Sequence, residues 1–183
     1  MNDLRLVRVE VVQTERVGTA EDAFQSEIGY VHRTLRRLGA SPSELHDLAH
    51  DMFLALRRAW PKYDQSRPLR PYLLGFAFRI AATHRRKRQR EAAVEVPDIS
   101  DYAPRPDDAL ASKQARWLVF EALKAIPLPR RAVLIMHELD GMAIADIAGE
   151  LGIPRFTAYP RMRKARREMH AALREILGAD ERP

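Results

Sequence analysis

The sequence predicts an all-α fold, with two small helical domains joined by a flexible acidic linker. Three observations carry this expectation. Apolar residues recur at i, i+3, i+4 and i+7 through most of the chain. No segment beyond the Val-rich first 20 residues reads as a strand. Charge divides by position: residues 1–93 hold 17 basic and 11 acidic side chains, and residues 112–183 hold 13 and 9. Between them, residues 94–111 set Arg105 alone against Glu95, Asp98, Asp101, Asp107 and Asp108. That stretch also carries Pro97, Pro104 and Pro106 without helical period, the signature of an extended tether. The expected boundaries are an N-terminal arm over 1–21, a first domain over 22–93, the linker over 94–111, a second domain over 112–177 and a tail over 178–183. Two basic modules on such a tether are expected to pack little on one another.

Each element has its own local cause. Residues 1–20 have no helical period and read as a weak strand or a flexible arm. Phe24, Ile28, Val31, Leu35 and Leu38 form one apolar stripe, predicting a single helix that Gly39 ends. Ser41, Pro42 and Glu44 then supply an N-cap, a first-turn proline and a capping-box glutamate. The helix they start turns Leu45, Leu48, Ala49, Met52 and Leu56 inward. A third helix is expected from near Pro71 to about Glu91, with Leu73, Phe76, Ala77, Ile80 and His84 on one stripe and Arg79, Thr83, Arg86 and Arg90 on another. In the second module, Ala115, Leu118, Val119, Ala122 and Ile126 mark a helix that Pro127 and Pro129 terminate. Arg130 to Leu139 form the next, ended near Gly141. Ile144, Ile147, Ala148 and Leu151 follow, with Gly152 as C-cap. The last helix carries Met162, Ala165, Met169, Ala172 and Ile176. Pro160 interrupts it: either the helix kinks over Phe156 to Pro160 or, the favoured course, its regular part begins at Pro160 with Arg155 to Tyr159 as an irregular lead-in.

Composition limits the function. In 183 residues there is no cysteine, which excludes disulfide frameworks, thiolate metal sites and cysteine nucleophiles. A formal charge of +6 favours a polyanionic partner, and 46 % apolar residues suffice for a true core. Apolar runs such as Ala132 to Met136 are far too short to span a bilayer, and Met1 to Glu10 lack the apolar core of a signal peptide. A soluble, cytoplasmic protein without membrane insertion is expected.

Four constellations bear on chemistry. The helices Ala143 to Leu151 and about Pro154 to Leu177, joined at Gly152, have helix-turn-helix spacing, and the second opens with Arg155, Arg161, Arg163, Lys164, Arg166 and Arg167. Such a helix presents cations to phosphates and bases in the major groove, whereas a solvated basic face would serve no partner. Arg85, Arg86, Lys87, Arg88 and Arg90 crowd one helix end, where phosphates relieve their repulsion, although cations also complement a helix C-terminus. Near them Tyr63 and Tyr72 are candidates to stack on unpaired bases, and Phe76 is expected in the core. Glu44, Asp47 and Asp51 lie on one stripe, either a protein-docking face or a solvated one favoured by the helix dipole. His46, Asp47 and His50 spell H-D-x-x-H, but the metalloprotease pattern needs Glu as base and a third ligand, so no metal, cofactor or enzymatic activity is expected.

With these features the chain resembles a bacterial RNA polymerase sigma factor of the sigma-70 family, in the extracytoplasmic-function group. The first module resembles region 2 through Asp47, Leu48, Asp51 and Phe53 in LHDLAHDMFLAL and through RPLRPYLLGFAFRIAATHRRKRQR. The second resembles region 4 through ALKAIPLPRRAVLIMHELDGMAIADIAGELGIP and the basic helix that follows. The resemblance implies binding to core RNA polymerase through Glu44, Asp47, Leu48, Asp51 and Phe53. It implies that Tyr63 to Leu69 read an extruded minus-ten base, and that the following helix holds the opened strand. Tyr63, Arg67, Tyr72, Arg79, Thr83, Arg85, Arg86, Arg88 and Arg90 are the minus-ten candidates. Arg155, Thr157, Tyr159, Arg161, Arg163, Lys164, Arg166 and Arg167 are the minus-thirty-five candidates. An anti-sigma factor, which many members have, is a further implied partner. Several positions depart from the family pattern: Tyr72 stands where Trp is common, His46 and His50 where Glu and Gln are, Arg79 where Asn is, and Thr83 where Asp is. The alternative function is a stand-alone helix-turn-helix regulator, which leaves the first module without a task.

Overall fold

The computed structural model describes residues 18–91 and 110–180. The expected N-terminal arm, apart from its last residues, and nearly all of the acidic linker lie outside the described residues. Those described form helices and connecting turns with no strand.

Thr19 starts α1 (Ala20–Ser26) with a complete capping box: its side chain accepts from the Asp22 N–H, and the Asp22 carboxylate accepts from the Thr19 N–H. The single helix expected through Leu38 is instead two, because the chain breaks at Glu27 before α2 (Ile28–Leu38). Ser26 Oγ donates back to the Ala23 carbonyl at 2.9 Å, and the Glu27 carboxylate turns to receive Arg70 at 3.0 Å. Apolar spacing continues across the break, so periodicity alone does not register it. Gly39 ends α2 at φ 107°, a conformation that suits glycine. Half of the expected box before α3 (Leu45–Ala59) forms: the Ser41 N–H donates to Glu44 Oε2 at 2.8 Å, while the Ser41 hydroxyl pairs with Ser43 instead. A single 3-10 turn, Trp60–Lys62, leads into a loop, and α4 (Leu69–Glu91) begins slightly earlier than expected.

The second module comprises α5 (Leu110–Lys124), α6 (Leu128–Leu134), a π-type continuation over Ile135–Leu139, α7 (Ile144–Leu151) and α8 (Arg155–Asp180). Gly152 takes a left-handed φ of 63° and reverses the chain between α7 and α8. A bidentate bridge from Arg130 to Glu168, at 2.8 and 2.6 Å, pins α8 to α6.

Contrary to the expected irregular lead-in, α8 is helical from Arg155 and passes through Pro160. Ala158 and Met162 on either side are buried, so burial of that face holds the first turns in helical phase against the proline. Pro160 removes the hydrogen bond to the carbonyl of Phe156, but Phe156 is 79 % exposed and water can take its place. Pro160→Ala restores the donor and is expected to stabilise the protein by about 2 kcal/mol, raising the thermal midpoint by roughly 4–8 °C. An unchanged midpoint in calorimetry would contradict a cost at this position.

The expectation of little packing between modules is also corrected. One hydrophobic core runs from Val31, Leu35, Met52, Leu56, Leu73 and Leu74 into Ile126, Val133, Met136 and Ile147. Helix α2 meets α5 and α6, and α4 meets α7. Net charge misleads here because carboxylates of the second module face donors of the first. Tyr30 Oη donates to Asp140 Oδ2 at 2.9 Å, and Glu150 pairs with Arg67. Burial holds the Asp140 carboxyl above its usual range, although the Tyr30 hydrogen bond and the Arg37 and Arg70 charges pull it down.

Candidate nucleic-acid interface

The loop before α4 is built from its own side chains. Asp64 Oδ1 accepts from the Ser66 N–H at 3.0 Å and its hydroxyl at 2.7 Å, an Asx turn that holds the Asp64 carboxyl below its usual range. Tyr63 Oη donates to the Arg67 carbonyl at 2.6 Å and closes the loop. Four aromatic rings and a guanidinium then stack in series. Trp60 lies on Tyr63 at 5.0 Å, Tyr63 on Tyr72 at 4.6 Å, Phe76 meets Tyr72 edge-on at 5.0 Å, and Arg79 covers Phe76 at 4.6 Å.

This series refines the expected roles. Tyr63 is flanked by Trp60 and Tyr72, so it supports the ladder rather than offering a free face to a base. Trp60 ends the ladder and was not among the candidates; its place beside Tyr63 becomes visible only once the 3-10 turn folds. Phe76 is only half-buried, at the edge of the core rather than inside it. Thr83 donates its hydroxyl to the Arg79 carbonyl at 3.0 Å, a local bond within α4.

At the end of α4 the cations separate into two sets. Arg86 and Arg90 are exposed. Arg85 and Arg88 line an open cleft between the modules together with His84, Phe120, Lys124 and Arg131. Arg88 donates to Glu44 Oε1 at 3.2 Å, and His84 stands 3.6 Å from the same oxygen. Burial raises the Glu44 pKa, but the Ser41 hydrogen bonds and the His84 and Arg88 charges outweigh it and hold the carboxyl below its usual range. Glu44 is therefore tied inward, unlike the stripe expected of it.

The remaining acidic stripe is available. Asp47 keeps 88 % of its side chain exposed and Asp51 is exposed one turn on, while Leu48 is buried beneath them. Phe53 is half-buried against Phe24, ring centroids 5.4 Å apart, and so belongs mainly to packing. His46 and His50 are exposed, and among the described residues no three His, Asp or Glu side chains converge as metal ligands.

On α8, Ala158, Met162 and Ala165 face inward, so Arg155, Phe156, Tyr159, Arg163 and Arg167 turn outward with Lys164 beside them. Arg161 and Thr157 are half-buried at the flank. Arg166 is engaged by Glu138, its Nε donating to Oε1 at 2.8 Å. Phe156 was not a candidate, yet it and Tyr159, 60 % exposed, are apolar groups standing among cations at the start of the helix.

Comparison with known proteins accounts for both modules. Residues 20–91 match the family model for Sigma-70 region 2, and residues 116–169 match that for Sigma-70 region 4. The chain belongs to the sigma-70 family. It falls in the extracytoplasmic-function group. This sigma factor is 25 % identical over 177 residues to the ECF RNA polymerase sigma factor SigL of Mycobacterium tuberculosis, covering 93 % of this chain and 98 % of that one. It is 25 % identical over 144 residues to the RNA polymerase sigma factor NccH of Alcaligenes xylosoxydans xylosoxydans, covering 75 % and 77 %. The fold is like that of the sigma factor RpoE solved with the anti-sigma factor NepR from Bartonella quintana. The TM-score is 0.63 at 20 % identity, covering 82 % of this chain and 96 % of that one. It is also like CnrH solved with the cytosolic domain of CnrY, at TM-score 0.58 and 19 % identity, covering 90 % and 92 %. No helix among the described residues of the sigma factor is long and apolar enough to cross a membrane.

Proposed function

We propose that this sigma factor binds core RNA polymerase through the exposed carboxylates of α3 and directs promoter recognition, DNA opening and transcription initiation with its two basic surfaces. The observation that carries the division of labour is the separation of three faces. Asp47 and Asp51 lie on α3, the ladder from Trp60 to Arg79 lies along the loop and α4, and the outward stripe from Arg155 to Arg167 lies on α8. Stacked aromatics beside Arg67, Arg79, Arg86 and Arg90 suit an unpaired strand, because rings hold bases and guanidinium groups hold phosphates. Phe156, Tyr159 and Arg163 suit a major groove, where an apolar ring meets a thymine methyl and arginine meets guanine. The protein works by binding, without catalysis or cofactor of its own, in the cytoplasm. An anti-sigma factor as partner is supported by the complexes in which RpoE and CnrH were solved.

In vitro transcription with core polymerase on a randomised promoter library tests this reading. Active templates are expected to share two sequence blocks, near minus ten and minus thirty-five. Transcription no greater than with core alone would overturn it, and tight sequence-specific duplex binding without core would favour the stand-alone regulator.

A further inference from the structure

The open cleft between the modules gathers more positive charge than its surroundings neutralise. Its volume is about 480 Å³, and among the described residues no carboxylate lines it. His84, Arg85 and Arg88 line it from α4, Lys124 from the end of α5 and Arg131 from α6. Arg88 is answered by Glu44 at 3.2 Å and Lys124 by Glu121 at 2.7 Å. Arg85 and Arg131 are not. Arg131 is only 6 % exposed and donates to carbonyls at the ends of α2 and α5, whose partial negative charge offsets its own. Arg85 is exposed, and among the described residues no carboxylate pairs with it. Burial lowers the Arg131 pKa, and the charge of Arg85 lowers it further, so the two cations repel one another across the cleft.

An anion in the cleft would relieve that repulsion. The volume lies within the roughly 300–1,000 Å³ of small-molecule sites, and Leu38, Leu48 and Ala81 add an apolar part to the lining. A lone carboxylate engages one guanidinium fork, whereas a chain of phosphates offers oxygens to cations on both walls.

We propose that this cleft binds a small molecule bearing a di- or triphosphate, held by Arg85 and Arg88 of one module and Lys124 of the other, with Arg131 adding a buried charge. Such a ligand bridges α4 and α5. It gives the sigma factor a small-molecule site separate from the carboxylates of α3 and from the outward face of α8. Arg85 and Arg88 then serve the cleft, and Arg86 and Arg90 are left to DNA.

Isothermal titration calorimetry of the full chain tests this, with inorganic tripolyphosphate and ATP as separate probes and sodium sulfate at matched ionic strength as the control for screening. One ligand per chain is expected, with a Kd of about 10 µM at low salt. At a hundredfold excess over Kd the thermal midpoint is expected to rise by roughly 5–10 °C. Arg85→Gln and Lys124→Gln, exposed positions on opposite walls, should each weaken binding about tenfold through loss of one charge-assisted contact. Arg86→Gln, an equal charge change at an exposed position of α4 outside the cleft, should stay within about twofold of wild type. Tighter binding of ATP would identify a nucleotide as the source of the phosphates, and equal binding a free polyphosphate; both support the site.

Binding no tighter than that of sulfate would overturn the proposal. Equal losses in Arg85→Gln and Arg86→Gln would do the same, since they mark diffuse attraction to a basic surface. Undiminished binding in Lys124→Gln would remove the bridge between modules. If neither probe binds until Asp107 and Asp108 are both changed to Asn, the occupant is the chain's own acidic stretch and the small-molecule site is wrong.

Discussion

Reversing Asp47 and Asp51 together to lysine is expected to weaken binding to core RNA polymerase by about a hundredfold while leaving the fold intact. Both carboxylates are exposed on α3, with Leu48 buried beneath them. Asp51 has no ion-pair partner among the described residues, and Asp47 has only the exposed His46 at 3.6 Å. Nothing internal depends on them beyond a helix-dipole contribution at Asp47 of below about 1 kcal/mol. Two reversals that each turn an attraction into a repulsion, at roughly 1–2 kcal/mol apiece, amount to about two decades in Kd. Fluorescence titration of labelled protein with core polymerase measures the effect, and circular dichroism checks the fold. Unchanged affinity in the double variant would remove α3 as the docking face. Glu44→Gln should weaken stability rather than docking, because that carboxylate is held by Ser41 and Arg88.

Arg131→Met is expected to destabilise the protein by about 3 kcal/mol, lowering the thermal midpoint by roughly 6–12 °C. Arg131 is only 6 % exposed, and its guanidinium donates to three backbone carbonyls. Its Nε donates to the Ile126 carbonyl at 3.0 Å and Nη2 to that of Lys124 at 2.9 Å, which caps the end of α5. Nη1 reaches the Arg37 carbonyl in the last turn of α2 at 3.5 Å. One guanidinium therefore caps a helix in each module. Burial, with a smaller effect of the Arg85 charge, lowers its pKa to about 10, so it remains charged at neutral pH. Methionine fills similar volume, so the loss reports mainly on the orphaned carbonyls, each costing about 1–3 kcal/mol when buried. A midpoint within a degree of wild type, measured by calorimetry, would show that these carbonyls find other partners.

The helices were legible where the signal is local. Gly39 and Gly152 stop α2 and α7 because their left-handed backbone suits a residue without Cβ, and the inward stripes of α3 and α7 follow from spacing. The break at Glu27 was not legible, since its partner Arg70 lies 43 residues away. The course of α8 through Pro160 was not legible either. The local cost of proline is overcome by burial of Ala158 and Met162, which belongs to packing. Among site residues, the exposed Asp47, Asp51 and Arg163 lie on outward faces as their spacing implied, whereas Arg155 and Tyr159, expected in an irregular lead-in, are placed outward by the helical course of α8. Glu44, Arg88 and Arg166 looked identical to them in sequence but are committed to partners.

The sequence alone determined the helical class, the division into two basic modules with an acidic stretch between, and the family, because these rest on periodicity, composition and order along the chain. Only the tertiary structure decided that the modules meet, that Glu150 pairs with Arg67 and its carbonyl accepts from Arg79, that Trp60 ends an aromatic ladder and that Arg131 serves both modules. The reason is physical: a side chain's charge and shape are written in the sequence, but its partner is set by distance. Arg67 and Glu150 are 83 residues apart in the chain and become neighbours only when α7 packs on α4.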